Sequence, residues 1–209
     1  MNRILILMLS LLSMTGAAHA TEQEWRFRVY LDDKEIGTHN FLLEQNEEQQ
    51  RVTSEASFEY RLMFLTLFEY QHENTETWSG DCLTGIESRT DANGKPYRVS
   101  GVIEEDRFML KGNDEVIELP ACSMTFAYWN PAFLEAERLI NVQNGEVVDV
   151  QVSAPERVQI TVRNEQLTAY RYQLQAGEMN IDLWYSEDKE WLALETDARG
   201  DRRLRYELI

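Results

Sequence analysis

The sequence predicts an all-β fold: an antiparallel barrel or a strongly curved open sheet, with one short helical segment at about residues 131–137 capping an opening. Three observations carry this expectation. Apolar and polar residues alternate with a period of two through most of the chain, the spacing of a strand with one buried face. Clusters of Asp, Asn and Gly separate the alternating runs at short intervals. One stretch alone, 122–145, abandons the alternation: aromatics crowd against Asn130-Pro131, and the stretch closes on Asn144-Gly145, a two-residue hairpin signal.

Residues 1–20 read as a secretory leader. Arg3 supplies the positive start, 4–12 is an almost unbroken apolar run, and Ala18-His19-Ala20 is a small-residue cleavage site. A membrane anchor needs about 20 apolar residues, which this run does not reach. No Cys follows it, so lipoprotein processing is not expected. The mature chain is expected to start at Thr21, to form one β domain over 21–209 and to reside in the periplasm, with no transmembrane span. The longest later apolar stretch, 62–68, has the length of a buried strand.

The strands then follow in order. Trp25, Phe27, Val29 and Leu31 alternate with Arg26, Arg28 and Tyr30, and a turn at 32–37 leads into a strand over 38–44. A polar connection at 46–50 precedes a third strand with Val52, Ser54, Ala56, Phe58 and Tyr60 on its inner face. Residues 61–76 are the least regular part of the first half, because Leu62-Met63-Phe64-Leu65 is apolar at consecutive positions and must be covered on both faces or left partly exposed. Beyond it, Phe68, Tyr70, His72, Asn74, Glu76 and Trp78 share a face. Hairpins follow around 91–95 and 112–114, and Pro120 ends strand pairing. Asn130 is a good N-cap and Pro131 a good first helical residue, so a helix is predicted over 131–137. Residues 139–142 are expected to pair with 147–152 across Asn144-Gly145, and strands at 158–163, 167–174, 178–185, 190–197 and 202–208 complete the chain, the last after a turn at 199–201.

The formal charge is −17, from 37 acidic and 20 basic side chains, and losing Arg3 with the leader makes it −18. Such a surface repels nucleic-acid phosphates, and it argues equally against membrane binding through a basic patch. Cys82 and Cys122 are the only cysteines; in an oxidising compartment they are expected to pair, closing a loop of 40 positions. They lack the spacing of a redox dithiol.

No cofactor or metal site is expected. The mature chain holds two histidines, His39 and His72, on strands far apart in sequence, and a zinc site would need both. The run from His72 to Glu76 matches a zinc-protease helix motif only superficially, since the second His is missing and the segment reads as a strand. The Asp91-to-Gly94 run has its Gly too early for a calcium loop. Two constellations remain. His72, Glu76 and Trp78 share a strand face, although residues four apart on a strand lie about 13 Å from each other and cannot bond directly. Tyr128-Trp129-Asn130-Pro131 reads as a helix cap anchored by aromatics, or as the wall of an apolar pocket.

From Trp25 to Ile209 the chain resembles a family of exported bacterial proteins that carry a domain of unknown function. The matching residues are Trp78 with Cys82-Leu83, Thr90-Asp91 with Gly94, Tyr128-Trp129-Asn130-Pro131, then Asn141, Gln143 and Gly145, and Leu183-Trp184-Tyr185. The resemblance implies no activity and no catalytic residue. More remotely the layout is similar to periplasmic lipoprotein carriers, in which a curved sheet closed by helical elements surrounds an apolar cavity.

The expected function is therefore binding or carriage, without catalysis, of an apolar ligand such as a lipid, or of a partner segment. Tyr70, His72, Glu76, Trp78, Tyr128, Trp129 and Asn130 would form the site. A hydrolase or isomerase is the alternative, and it requires His72, Glu76 and Asn130 to converge. A scaffold that binds a protein along a sheet edge is a third reading.

Overall fold

The computed structural model describes residues 21–46, 49–112, 115–198 and 200–209. The predicted leader with its cleavage site after Ala20 lies outside the described residues, as do parts of the predicted turns at 46–50, 112–114 and 199–201. The predicted alternation becomes β1 (Thr21–Leu31), in which Trp25, Phe27 and Val29 are buried while Arg26 and Arg28 face outward. Long antiparallel neighbours follow: β2 (Lys34–Gln45), β3 (Gln50–Leu62), β4 (Leu65–Ser79), β5 (Cys82–Ala92) and β6 (Lys95–Glu104). Two short strands, β7 (Arg107–Gly112) and β8 (Glu115–Pro120), end this run. The second half contributes β9 (Arg138–Ile140), β10 (Val147–Val152), β11 (Glu156–Val162), β12 (Glu165–Ala176), β13 (Met179–Tyr185), β14 (Trp191–Ala198) and β15 (Arg202–Leu208).

These strands form one 15-stranded antiparallel sheet in the order β8-β7-β6-β5-β4-β3-β2-β1-β15-β14-β13-β12-β10-β9, with β11 pairing β12. The first and last strands are neighbours, Val29 standing opposite Tyr206. The sheet curves but does not close, since among the described residues no pairing joins β8 to β9. Of the two predicted architectures, the open curved sheet is the one formed.

The chain that leaves β8 turns inward and crosses the inner face. The Cys82–Cys122 disulfide ties its start to β5, as the sequence predicted. Leu83 N–H then bonds Ser123 carbonyl at 3.2 Å, and Thr125 bridges Ile140 in parallel. Ala127, Phe133 and Leu139 of this crossing segment are all buried. At its far end Gly145 reaches the end of β7. A Cβ on Gly145 would lie 2.8 Å from the Gly112 Cα, and its φ of +80° is in the left-handed region, so only glycine fits. Backbone packing of a loop therefore spans the gap that strand pairing leaves.

Two local expectations need correction. The predicted helix over 131–137 is a 3-10 turn, Pro131–Glu135, ending where Ala136 turns extended at φ −77°, ψ 144°. Its capping was correctly read: the Asn130 side chain accepts from Ala132 N–H at 3.0 Å, with Pro131 beside it. The turn stops because Phe133 is drawn fully into the core and the chain must be extended again for β9. The Asn144-Gly145 pair is not a two-residue hairpin. Ile140 pairs with Val147, and the six residues between are held by Asn141 N–H to Glu146 carbonyl and Gly145 N–H to Asn141 carbonyl, both 2.8 Å.

The stretch expected to be least regular, 61–76, is continuous strand apart from the turn between β3 and β4. Its pattern breaks because the hairpin outgrows its neighbours. Pairing to β2 reaches along β3 to Phe58, and pairing to β5 starts on β4 at Tyr70. Beyond those points β3 and β4 pair only with each other, up to Leu62 opposite Leu65. A finger with no covered face is under no pressure to alternate.

Candidate functional site

Between the inner sheet face and the crossing segment lies a cavity of about 270 Å3. Strand periodicity places its wall. On β4 the period of two brings Tyr70, His72, Asn74 and Glu76 to the inner face; on β2 it brings His39 and Phe41 there. Leu194, Tyr206 and Leu204 come from β14 and β15, and Tyr128, Trp129 and Val142 from the crossing segment. Met179, 42% exposed, lines it where it meets solvent.

Aromatic packing and one deep hydrogen bond hold the crossing segment in place. Trp129 meets Trp78 edge to face at 5.5 Å, and Tyr128 packs on Trp191 at 5.3 Å and on Phe133 at 5.6 Å. The Tyr185 hydroxyl donates to Tyr128 carbonyl at 2.8 Å. The segment is thus both an anchored cap and a pocket wall, the two roles that the Tyr-Trp-Asn-Pro element allowed.

The polar groups are few and mostly fixed. His72 is 4% exposed, and its Nδ1 lies 2.8 Å from Thr90 Oγ1, which bonds Gln143 carbonyl at 3.3 Å. Thr90 has one hydroxyl proton for these two contacts, so the tautomer of His72 decides whether Nδ1 donates to Thr90 or accepts from it. Burial holds the His72 pKa down to about 4. His39 stands beside it, ring centroids 6.3 Å apart, with Nδ1 3.3 Å from the Tyr206 hydroxyl. Burial first, and then the neighbouring His72, lower its pKa to about 3. Both imidazoles are neutral at physiological pH. Glu76 accepts from Asn74 Nδ2 and from Trp78 Nε1, each at 3.0 Å. Burial raises its pKa, and those two bonds work against the rise. Two buried polar atoms of the cavity wall have no partner: His39 Nε2 and Asn74 Oδ1.

Of the seven residues expected at the site, Tyr70, His72, Glu76, Tyr128 and Trp129 line the cavity. Trp78 does not; it is fully buried behind Trp129 and serves as a donor to Glu76. Asn130 does not either, being committed to Ala132 N–H and to Asp81 Oδ1 at 3.1 Å. The convergence of His72, Glu76 and Asn130 that a hydrolase would need is not formed, because each bonds a different neighbour. Among the described residues no cluster of three or more His, Cys, Asp or Glu is placed to hold a metal ion. Sequence reasoning considered His39 only as a metal ligand and missed its place opposite His72. The signal was present in the spacing of His39 and Phe41, which share a strand face.

A larger cleft of about 480 Å3 lies on the outer face, between the β11–β12 hairpin and β14–β15. Several of its charges are engaged, Arg205 with Glu207 and Arg163 with the Ile209 carbonyl at 3.0 Å. The inner cavity, with unpartnered polar atoms in an aromatic wall, is the better candidate site.

A solved structure with a similar fold is the beta-barrel-like protein of domain of unknown function DUF1849 from Brucella abortus. It has a TM-score of 0.61 at 12% identity, covering 92% of this chain and 98% of that one. No curated protein matches the chain. A family model described as a domain of unknown function, DUF6134, matches residues 27–209, which is nearly the whole described sheet, and the chain belongs to that family.

Proposed function

We propose that this protein is a non-enzymatic carrier of a small apolar molecule bearing one uncharged polar group, bound in the inner cavity and carried in the periplasm. The observation behind this reading is the pairing of an aromatic wall with two unpartnered buried atoms, His39 Nε2 and Asn74 Oδ1. A hydroxyl, ester or amide that reaches either atom supplies the partner it lacks. A carboxylate does not suit, since neither histidine is cationic at neutral pH and Glu76 already brings a carboxyl to the wall. At about 270 Å3 the space lies just below the usual range for ligand pockets, so it fits a single hydrocarbon chain or ring system rather than a multiply acylated lipid.

The test is a titration with the neutral fluorescent probe N-phenyl-1-naphthylamine, displaced by n-decanol and by n-decanoate at pH 7.5. Decanol is expected to displace the probe at a concentration at least tenfold lower. Val142→Phe, which fills the cavity from the crossing segment, is expected to abolish probe binding. Absence of probe binding, or equal displacement by the two competitors, refutes the reading.

The edge strand β8 favours a second reading, a scaffold that takes a partner strand. It pairs only with β7 and exposes Val116 by 60% and Ile117 by 38%. Its shortness, with Glu115 and Glu118 interspersed and Pro120 at its end, works against strand addition.

A further inference from the structure

The β3–β4 finger ends in an apolar tip that the cavity does not use. Leu62, Met63, Phe64, Leu65 and Leu67 are exposed by 56, 86, 98, 68 and 53%. The opposed pair Leu62 and Leu65 makes one face of the tip apolar and Met63 and Phe64 form its end, while the opposed pair Arg61 and Thr66 lies on the other face. Its strands pair with each other to the end, Arg61 with Thr66 and Leu62 with Leu65, but their outer edges have no neighbouring strand among the described residues, so the tip suits the hydrated headgroup and acyl boundary and not the hydrocarbon centre.

Charge changes with height along the finger. In a chain with 37 acidic and 20 basic side chains, no carboxylate occurs from Tyr60 to Phe68. Just behind the tip, Lys34 Nζ and the Arg202 guanidinium lie 4.5 and 4.3 Å from the centre of the Tyr60 ring, and Lys34 Nζ donates to the carbonyl of Arg61, a third cation at this level. Glu59 is matched by Arg61, and Asp32 by Arg202 at 2.8 Å, while Glu69 opposite Glu59 has no cation beside it among the described residues. An apolar end followed by an aromatic ring and a collar of cations reproduces the order of a bilayer surface, hydrocarbon and then headgroup phosphate.

We infer that this finger docks the protein onto a lipid bilayer, with Met63, Phe64 and Leu65 entering the acyl boundary and Tyr60, Lys34, Arg61 and Arg202 at headgroup level. The reach past Tyr60, three residues to Met63, is roughly 10 Å at ~3.3 Å per residue, which suits an interfacial depth of about 5–10 Å. Apolar insertion drives the attachment, while the acidic remainder of the surface is repelled by anionic lipid. Salt therefore strengthens binding to anionic vesicles, the opposite of a basic-patch binder. The inference does not depend on what the cavity holds.

The test is flotation of the chain starting at Thr21 with phosphatidylethanolamine–phosphatidylglycerol vesicles. The wild type is expected to float, and Phe64→Ser to weaken partitioning about tenfold or more. Phe64→Ser/Leu65→Ser is expected to abolish flotation with the melting temperature unchanged, since both side chains are already in water. In a Phe64→Trp variant, acyl-brominated lipid is expected to quench the fluorescence of the introduced indole. The inference is overturned if the wild type does not float, if the double variant floats equally well, or if the introduced indole is not quenched. Concentration-dependent oligomers lost in the double variant, without flotation, would overturn it in favour of self-association.

Discussion

Acid should destabilise this protein through His72 and His39, which line the inner cavity, before most of its carboxylates are protonated. Burial lowers the His72 pKa from 6.5 to about 4 and that of His39 to about 3, so the unfolded chain binds protons that the folded state refuses. For such depressed groups the contribution to stability is complete above pH 6.5. It is lost as pH falls, towards about 4 for His72 and about 3 for His39. Between pH 6.5 and pH 5 each histidine costs roughly 2 kcal/mol at ~1.4 kcal/mol per pH unit, or about 4 kcal/mol for the pair. His72, 4% exposed, should show its full share. His39 is only half-buried because it faces the cavity, and water there would solvate its imidazolium and reduce its share. The acidic surface contributes the opposite trend, because self-repulsion eases as carboxylates take up protons. A variant comparison removes that background. Urea unfolding would be followed at pH 7.5, 6 and 5 for the wild type, His72→Asn, His39→Asn and the double variant; Asn at position 72 can serve Thr90 as donor or acceptor. The wild type should lose about 2–4 kcal/mol more than the double variant over this range. Parallel losses in the two proteins, or a nuclear magnetic resonance titration placing either ring near 6.5, would refute the reasoning.

Other expected outcomes follow from single contacts. Cys82→Ser/Cys122→Ser opens a loop of 40 residues and should cost about 4 kcal/mol in urea unfolding, with the wild type showing the same loss on reduction. Gly145→Ala drives a Cβ against the Gly112 Cα at a positive φ and should cost about 2–3 kcal/mol, lowering the melting temperature by several degrees. Tyr185→Phe removes the donor to Tyr128 carbonyl and should cost about 1–2 kcal/mol, with increased proteolysis in the crossing segment as its signature. Glu76 has a raised folded-state pKa, so its contribution is present at low pH and lost as pH rises through that value. The stability of Glu76→Gln relative to wild type should therefore improve as pH rises above 4.5 and level off once Glu76 ionises in the folded state, and a pH-independent difference would contradict the burial of its charge.

The curved antiparallel sheet was legible in the sequence because burial on one face imposes alternation. Trp25, Phe27 and Val29 in β1 and His72, Asn74, Glu76 and Trp78 in β4 occupy the faces their spacing assigned. The disulfide followed from having two cysteines in an expected oxidising compartment. Two features were not legible, and a third was legible only in part. Continuity of the β3–β4 hairpin was hidden because its tip has no covered face, so nothing selects alternation there. The loop closed by Gly145 looked like a tight hairpin, since local turn chemistry does not reveal that the glycine is required by a contact with Gly112, far away in sequence. The cavity was half legible. Period two names the inner residues of each strand, but which of them become neighbours depends on strand order and register, as where Ala56 stands between His39 and His72. That is why His39 and Tyr206 were missed, and why Asn130 was expected at the site when it is bonded to Asp81.

Native mass spectrometry of gently purified protein, followed by organic extraction, tests the binding role of the inner cavity most directly. The account predicts a bound species of low mass, uncharged and with a single chain or ring system, that is absent from Val142→Phe. A clean apo mass in both proteins, with no gain on incubation with n-decanol, would contradict it and leave the aromatics around His39 and His72 as core packing alone.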